Sequence, residues 1–571
     1  MSATLALLGG MPVRTRPFPA HNPIGEEEKK AVLEVLDSGI LSRFLGAWHR
    51  DFYGGDRVQA FERTWAGLVG AKHAVSFNSN TSGLFAAVGA AGVGPGDEVL
   101  VPPYTMSASA TVVIGYHAVP VFADIEPDIF CVDPRSLRER ITPRTKALVV
   151  VDLFGHPADL DPIMALAREH GLVVIEDAAQ APGAVYHGRR VGTISDMTVF
   201  SLNYHKHIHT GEGGIVTTGN DRYAERLQLI RNHGEAVVAD RGITDLVNAF
   251  GFNLRMTEIP AAIGITQLSK LPHLLERRVK NAEYLSKHVG VLPGIAPPTV
   301  RPGCTHVYYV QPFLFDAAVV GVSRERFVEA VCAELPTAED RDWPMMSSGY
   351  VTPLYLQPMY QQQIAIGASG CPFRCPHYQG TVDYRKGRCP VTEQIEERRL
   401  IATEFMRPPA TTDDMRDVVR AFEKVYEHRR ELVGVGAEVF RDAAGPAGKP
   451  QTRNPCAHLT ADGRGANERG REPGIALPDP EQRRQEVQSA EIVPGHQDAR
   501  RLDEGLHAQS TRPRHPLRPA RWAMTSPFPV PISRTSLGRS SSIAAATRGM
   551  TMLRCWSTSA LPSARVNSTA P

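Results

Sequence analysis

The sequence lacks the features that would place the protein in a membrane or in the class of disulfide-bonded secreted proteins. No uninterrupted apolar run is long enough to span a bilayer, and the N-terminal segment has no basic region ahead of its short apolar run. The 8 cysteines are spread over 571 residues, so a disulfide framework is not expected. We therefore expect a cytoplasmic protein with no membrane partner.

An excess of charge of one sign is also missing. The chain has 63 Lys and Arg against 61 Asp and Glu, which gives a formal net charge of +2 at pH 7. This balance provides no overall attraction toward nucleic acid, so no nucleic-acid partner is expected. The length is sufficient for two or three domains, and the hydrophobic fraction of 42% is ordinary for a globular protein.

The final part of the sequence lacks a hydrophobic pattern. After about Val433 the apolar periodicity disappears, Lys449 is the only lysine, and no Asp or Glu occurs from Thr511 to the end. Such a composition cannot build a packed core, so residues 436–571 are predicted to be a disordered tail rich in Arg, Pro and Ser. The preferred interpretation is out-of-frame translation of GC-rich DNA, and the alternative is a basic tail that binds nucleic acid or membrane.

The most informative stretch runs from residue 172 to residue 214. An apolar run, 172–175, is followed by Glu176 and Asp177, and Lys206 lies in a Gly-rich loop after a second predicted strand, 198–201. Buried parallel strands end at the edge where α/β proteins bind ligands, so Asp177 and Lys206 are expected to face one crevice. This pair suits pyridoxal phosphate (PLP), in which the lysine forms the Schiff base and the carboxylate keeps the pyridine nitrogen protonated. The alternative is a solvated loop lysine and a strand-end cap.

A phosphate site is predicted where a strand, a polar turn and a helix follow one another between residues 74 and 92. The N-terminus of the helix offers unpaired N–H groups and a positive dipole, and Thr81 and Ser82 add hydroxyl groups there. The alternative for this segment is a plain helix N-cap.

Strands that alternate with helices predict a parallel sheet with right-handed crossovers. The segments 119–124, 146–152 and 172–177 are strand candidates, and a helix is predicted at 159–170. Helices are also predicted at 259–268 and 274–288, a strand at 305–310, and a last amphipathic helix from Thr412. We predict a large α/β domain with an N-terminal arm over 1–272 and a smaller α+β domain over 273–435.

Two clusters contain residue types that bind metals. The first consists of Cys371, Cys375, His377 and Cys389, whose spacing matches no common zinc site. The second consists of His205, His207 and His209, which we expect to line the cofactor and substrate pocket. No metal is predicted.

Several segments resemble the DegT/DnrJ/StrS family of PLP-dependent sugar aminotransferases. They are E-D-A-A-Q from Glu176, T-G-E-G-G from Thr210 shortly after Lys206, and G-F-N-L-R-M-T-E from Gly251. The resemblance covers residues from about 5 to 432. It implies the PLP-dependent aminotransferase fold (aspartate aminotransferase-like, fold type I), with a large α/β domain and a smaller α+β domain.

The resemblance also implies roles for individual residues. Lys206 carries the cofactor and then acts as the base that moves the proton, Asp177 pairs with the ring nitrogen, and Gln180 bonds the phenolic oxygen. The residues implied in holding the phosphate are Thr81, Ser82, Ser201 and Asn253.

In the family, the asparagine at the position of Asn253 reaches the cofactor phosphate of the neighbouring subunit. The resemblance therefore implies a homodimer with shared active sites. The family usually has an aromatic residue at the position of Met106, so either Met106 or Tyr104 is expected to cover the cofactor ring. Tyr355 replaces the histidine of the family's substrate-facing segment, which implies a shifted substrate preference.

The implied reaction is a ping-pong transamination of a nucleotide-linked keto-sugar or of a cyclitol ketone. Glutamate or glutamine is the implied amino donor. Polysaccharide or antibiotic sugar biosynthesis is the corresponding setting. Two alternatives remain. One is a PLP-dependent sugar dehydratase of the same fold, which is marked by a histidine in the lysine position. The other is a non-catalytic PLP-binding regulator.

Overall fold

Two main β-sheets of seven and four strands, together with helices and a separate two-stranded sheet, form the architecture in a computed structural model that describes residues 4–433. The predicted tail, 436–571, lies outside the described residues. The strands in chain order are β1 (His73–Phe77), β2 (Glu98–Val101), β3 (Val119–Phe122), β4 (Thr145–Val151), β5 (Val173–Asp177), β6 (Val185–Tyr186), β7 (Arg189–Arg190), β8 (Met197–Ser201), β9 (Gly214–Thr218), β10 (Ile295–Ala296), β11 (Gln311–Phe315), β12 (Met346–Ser348) and β13 (Leu400–Thr403).

The helices that accompany these sheets range from 4 to 32 residues in length. In chain order they are α1 (Glu26–Ser38), α2 (Asp56–Val69), α3 (Asn80–Ala90), α4 (Ala108–Gly115), α5 (Pro134–Arg140), α6 (Leu160–His170), α7 (Asp221–Arg231), α8 (Glu258–Val289), α9 (Ala317–Val320), α10 (Arg324–Glu334), α11 (Pro358–Gln362), α12 (Pro390–Gln394) and α13 (Thr412–Glu427). None of the helices within residues 4–433 is long and apolar enough to cross a membrane.

The ends of α1 follow from local sequence chemistry. The backbone N–H of Gly25 donates to the Glu28 carboxylate at 2.7 Å, which satisfies a group that the first helical turn leaves unpaired. Three glutamates in the first turn suit the positive end of the helix dipole. Gly39 ends the helix at φ 67°, a left-handed conformation that glycine adopts without steric cost. The local sequence therefore accounts for both ends of α1.

The larger sheet has the strand order β1-β9-β8-β5-β4-β2-β3. Its pairs β3/β2, β2/β4, β4/β5 and β5/β8 are parallel, as the alternation of strands and helices predicted. Strand β9 is antiparallel to both β8 and β1, so the sheet is mixed and not wholly parallel. The prediction missed β9 because a short loop returns the chain directly beside β8, with no helical crossover between them.

This topology brings the carboxyl ends of several strands to one edge. Because β9 runs opposite to its two neighbours, β1 and β8 point the same way, and both point the same way as β5. The segments that follow β1, β5 and β8 therefore emerge together, which is where ligand sites form in open α/β sheets.

The smaller sheet is antiparallel, in the order β10-β11-β13-β12. Its core includes Phe313, Phe327 and Phe422, whose ring centroids lie 6.0–6.1 Å apart in successive pairs. Leu5 and Phe18 from the N-terminal arm are buried in the same core. The arm that was assigned to the large domain thus packs with the smaller sheet.

Helix α8 spans 32 residues, where the sequence predicted two separate helices at 259–268 and 274–288. Pro272 lies inside the helix. A proline removes one backbone hydrogen bond, but Leu268, Leu271 and Ala282 are buried on both sides of it, and this burial favours a continuous helix. The predicted domain boundary at 272/273 falls within α8 and stays a prediction.

Candidate active site

Asp177 lies at the carboxyl end of β5, as predicted, and its side chain is almost fully buried. The Ser109 hydroxyl donates to its Oδ2 at 2.8 Å, and the backbone N–H of Ala179 donates to its Oδ1 at 3.2 Å. Burial raises the pKa of this carboxyl, while these two hydrogen bonds and the charge of Lys206 oppose the rise. The side chain of Asp177 is thus held in place by two hydrogen-bond donors, and the positive charge of Lys206 favours its ionised form.

Lys206 lies in the loop between β8 and β9, and it is 9% exposed. The loop closes on Leu202, whose N–H donates to the Gly213 carbonyl at 2.8 Å and whose carbonyl accepts from the Thr210 N–H at 3.0 Å. The lysine Nζ lies 4.2 Å from the centroid of the Tyr309 ring. A cation over an aromatic face is stabilised without being neutralised, so the amine is held at a defined position.

The N-terminus of α3 lies against the strand that follows the lysine loop. Gly214 pairs with Phe77 on one side and with Ser201 on the other. A Cβ at Gly214 would lie 2.4 Å from the Ser79 carbonyl oxygen, so this last glycine of T-G-E-G-G is required by close backbone contact. The contact brings Ser201 and the first turn of α3 to the same place.

The first turn of α3 combines a capped end with the buried amide of Asn80, which lies near Asp177. The Ser79 hydroxyl accepts from the Ser82 N–H at 3.1 Å, and the Ser82 hydroxyl donates to Asn78 Oδ1 at 2.6 Å. Thr81 is exposed. The Asn80 amide is close enough to Asp177 to lower its pKa, yet Asn80 Nδ2 is buried with no hydrogen bond of normal geometry among residues 4–433. The Asn80 amide therefore helps to stabilise the ionised form of Asp177.

Gln180 is oriented by two contacts. Its Oε1 accepts from the Phe154 N–H at 2.6 Å, and its Nε2 donates to the Tyr350 hydroxyl at 2.9 Å. Because an amide nitrogen carries two hydrogens, one of them remains for a further acceptor.

Met106 and Tyr104 differ sharply in their surroundings. Met106 follows β2 and is 47% exposed, whereas Tyr104 is fully buried and donates to the Glu396 carboxylate at 2.5 Å. Tyr104 is therefore part of the core. Of the two residues expected to cover a cofactor ring, Met106 is the one that is accessible.

Asn253 is exposed, and its backbone pairs with Asn232. The neighbouring Leu254 carbonyl accepts from the Asn78 N–H at 3.0 Å, which places this segment beside the turn that precedes α3.

The histidines around Lys206 do not form a metal site in residues 4–433, and neither does any other group of three or more His, Cys, Asp or Glu in that range. His207 is buried and its Nε2 donates to the Val307 carbonyl at 3.0 Å. His205 is packed against Tyr309, with the ring centroids 6.1 Å apart. In the cysteine cluster, Cys371 Sγ lies 3.3 Å from His117 Nδ1.

Tyr355 is buried in this structure, and the expected shift in substrate preference stays a prediction. Its side chain is 1% exposed, its hydroxyl donates to the Glu393 carboxylate, and its ring packs 5.9 Å from Phe122. The phenol ring is accommodated among the aromatic residues of the core beside the larger sheet.

Sequence reasoning missed three residues of this site, namely Ser109, Tyr309 and Tyr350. Each contacts a residue that was predicted, and each comes from a segment distant in sequence. The one available signal was the position of Ser109 in the segment that follows the parallel strand β2, since such segments meet at the ligand edge.

The fold and this edge define the class of protein as an α/β enzyme of the PLP-dependent aminotransferase type. The sequence profile of the DegT/DnrJ/EryC1/StrS aminotransferase family matches residues 22–423, so the chain belongs to this family. The predicted fold class and the prediction of an aminotransferase are confirmed.

Relatives and solved structures agree with this assignment. The spore coat polysaccharide biosynthesis protein SpsC of Bacillus subtilis (strain 168) is 35% identical over 365 residues, which is 63% of this chain and 89% of SpsC. The L-glutamine:2-deoxy-scyllo-inosose aminotransferase of Streptoalloteichus tenebrarius is 34% identical over 444 residues, which is 76% of this chain and 100% of that enzyme. The crystal structure of S. venezuelae DesV in complex with a ketimine intermediate superposes with a TM-score of 0.59 at 29% identity, covering 72% of this chain and 99% of DesV.

Proposed function

We propose that the protein uses PLP to transfer an amino group from glutamate or glutamine to a nucleotide-linked keto-sugar or to a cyclitol ketone. The observation that carries this proposal is the common position of Lys206 and Asp177 at one sheet edge, beside the N-terminus of α3. An amine, a carboxylate and a helix end that binds phosphate are the groups that PLP chemistry requires.

The residues at this edge fit the cofactor. Lys206 would hold PLP covalently, and Asp177 would hold a proton on the ring nitrogen. When bound, PLP supplies an electron sink that stabilises negative charge on the substrate carbon. Once the substrate has displaced Lys206, its amine is the base that moves the proton at that carbon.

The remaining contacts position the cofactor. The second Nε2 hydrogen of Gln180 is available to the phenolic oxygen. Thr81, Ser82 and Ser201 surround the helix N-terminus, where their hydroxyls and the backbone N–H groups suit a phosphate. Met106 is accessible on the same edge and would cover one face of the ring with its thioether.

A second copy of the chain is proposed to complete the site through its Asn253. The side chain of Asn253 is exposed, and the segment that carries it displays Leu246, Val247, Phe250 and Phe252 to solvent. Exposed apolar residues in such a cluster are typical of an interface between subunits. We therefore propose a homodimer with shared active sites.

The names of the relatives support the substrate class. One relative is named for an aminotransferase that acts on a scyllo-inosose, which is a cyclitol ketone, with L-glutamine as donor, and another for polysaccharide biosynthesis. The proposal therefore covers both cyclitol ketones and keto-sugars.

The test is an assay of the purified protein, loaded with PLP, against a panel of cyclitol ketones and nucleotide-linked keto-sugars. Glutamine and glutamate labelled with ¹⁵N at the α-amino group serve as donors, and mass spectrometry detects the label in the product. We expect a labelled amino-sugar or aminocyclitol with the wild-type chain and with the surface variant Lys146→Ala, and none with Lys206→Ala. An unlabelled, dehydrated product would contradict transamination and favour the dehydratase alternative.

A further inference from the structure

Three arginines lie close to the lysine loop, and two of them share the carboxylate of Glu404. Arg407 Nη2 and Arg341 Nη1 each donate to Glu404 at 2.6 Å, one to each carboxylate oxygen. The third is Arg278, which donates to the backbone carbonyl of Tyr309 at 3.4 Å. Asp340, which is half exposed, lies 3.5 Å from Arg341 Nε. Positive charge is therefore in excess in this region even before Lys206 is counted.

The arginine group adjoins the lysine through one aromatic ring. The Arg407 guanidinium carbon lies 5.8 Å from the centroid of Tyr309, and Lys206 Nζ lies 4.2 Å from the same centroid. The two cations cannot be farther apart than the sum of these distances. Their separation is thus within the reach of one amino acid bound between them.

The neighbouring histidines respond to this positive field. Burial, the charge of Lys206 and the charges of Arg407 and Arg341 together lower the pKa of His205 to about 2. Burial and the charges of Arg278 and Arg407 lower the pKa of His21 to about 3. Both histidines are therefore neutral, so they leave the excess positive charge of the region unchanged.

The arginines also retain donors that the protein does not use. Arg407 Nε and Arg278 Nη2 are buried and have no hydrogen-bond acceptor among residues 4–433. Buried guanidinium N–H groups without an acceptor are costly unless a ligand satisfies them. Glu404, whose side chain is 20% exposed, is the more accessible member of the triad that it forms with Arg407 and Arg341.

We propose that Arg407 and Arg341 form the subsite that binds the carboxylate of the amino donor, and that Glu404 occupies this subsite when no donor is bound. The inference rests on the proposed function. An amino-acid donor carries a carboxylate on the same carbon as the amino group that reacts, so its receptor must lie close to Lys206. Planar guanidinium groups match a carboxylate by paired hydrogen bonds.

The test measures binding and kinetics in the PLP-loaded, full-length protein. Glutarate is a suitable probe because it has two carboxylates and no amino group to react, and its Kd is measured by calorimetry. In Arg407→Met we expect the Kd for glutarate and the KM for the amino donor to rise tenfold to a hundredfold, because hydrogen bonds to charged groups are lost. The KM for the ketone and the visible absorbance of the bound cofactor should be unchanged. Arg407→Lys should recover part of the affinity.

Two further variants sharpen the result. Glu404→Gln removes the competing charge, so the Kd for glutarate should fall several-fold. Arg14→Met is the matched control, because Arg14 is a similarly buried arginine that pairs with Asp414 and Asp417. It should leave the Kd unchanged.

The proposal is overturned if Arg407→Met leaves the Kd for glutarate and the donor KM at wild-type values, or raises the KM of the ketone instead. A weaker affinity for glutarate in Glu404→Gln would also contradict it. The protein could also bind glutarate through Arg407 and yet take up no PLP. That result would support the carboxylate subsite and contradict the proposed function, so failure of the subsite and failure of the proposed function are distinguishable.

Discussion

The Ser109 hydroxyl donates a hydrogen bond of 2.8 Å to Oδ2 of Asp177, and both residues are buried at the carboxyl edge of the larger sheet. The bond stabilises the ionised carboxylate, because a hydroxyl donor has more to gain from a charged acceptor than from a neutral one. It therefore opposes the effect of burial, which raises the pKa of Asp177.

Removing this bond should shift the pH dependence of activity. In Ser109→Ala we expect the pKa of Asp177 to rise, so that the acidic limb of the kcat profile moves to higher pH by about one unit, the equivalent of one hydrogen bond. Activity at alkaline pH should approach the wild-type value, since Asp177 is ionised there. Ser107→Ala is the control, because the Ser107 side chain makes no capping hydrogen bond at the start of α4. An acidic limb that stays in place would contradict the role given to Ser109.

Neutralising Asp177 should affect catalysis more than cofactor binding. Asp177→Asn retains the shape of the side chain but loses its charge, and the loss of one preorganised electrostatic partner costs about 2.7–4 kcal/mol of barrier lowering, or 10²–10³ in kcat. Single-turnover kinetics with the PLP-loaded variant would measure this. Asp196→Asn, in which the replaced carboxylate accepts from the Val174 N–H on the same sheet, is a control for stability. Near-normal turnover in Asp177→Asn would rule out the ring-nitrogen role.

The surroundings of His156, which lies outside the candidate active site, predict that the stability of the fold depends on pH. Its Nδ1–H donates to the Pro157 carbonyl at 2.8 Å, and its Nε2 accepts from the Arg301 N–H at 3.0 Å, so the neutral ring is fully satisfied. Burial is the main cause that lowers its pKa to about 4. The unfolded chain, with a histidine pKa of about 6.5, binds the proton first, so stability is lost as the pH falls from about 6.5 to about 4.

Thermal unfolding checks this prediction. His156→Gln should unfold at a lower temperature at pH 7.5, but its Tm should fall less than that of the wild type between pH 7.5 and pH 5. His170→Gln, at an exposed position, should keep the wild-type difference. An equal fall in Tm for His156→Gln and the wild type would show that His156 does not contribute to the acid sensitivity.

Complementation between subunits tests the shared site. Lys206→Ala and Asn253→Ala chains should each be impaired, because one lacks the amine and the other lacks the proposed contact to the partner's phosphate site. A mixed dimer has one site in which both residues are intact, so co-refolding or co-expression should restore up to half of the wild-type activity per heterodimer. Heterodimers that form, as judged by differently tagged chains, and remain inactive would count against shared sites.

The position of the candidate site could be predicted from the sequence because strand ends carry a strong local signal. Asp177 follows a continuous apolar run, and Lys206 follows a second one, so parallel-strand topology alone puts both residues at one edge. The α3 N-terminus was predictable for the same reason, since a strand and a polar turn precede it. These predictions depend on short-range patterns and on one topological rule.

The contacts that complete the site could not be predicted in the same way. Tyr309 lies beside Lys206, and Tyr350 lies beside Gln180, but both come from segments more than 100 residues away that carry no motif for the contact. The burial of Tyr355 also depends on tertiary packing. Its segment faces the substrate in the family, but here the tyrosine is buried against Phe122 and Glu393. Helix α8 continued through Pro272 because tertiary burial outweighed a local break signal.

The most direct test of the central claim is to identify the residue that holds PLP. The purified full-length protein would be incubated with PLP, reduced with borohydride, digested, and analysed by peptide mass spectrometry. We expect the mass of reduced PLP on the peptide that contains Lys206, at Lys206 itself, and a loss of both this adduct and the visible absorbance in Lys206→Ala. An adduct at another lysine, or the same yield of trapped cofactor in Lys206→Ala, would contradict the account.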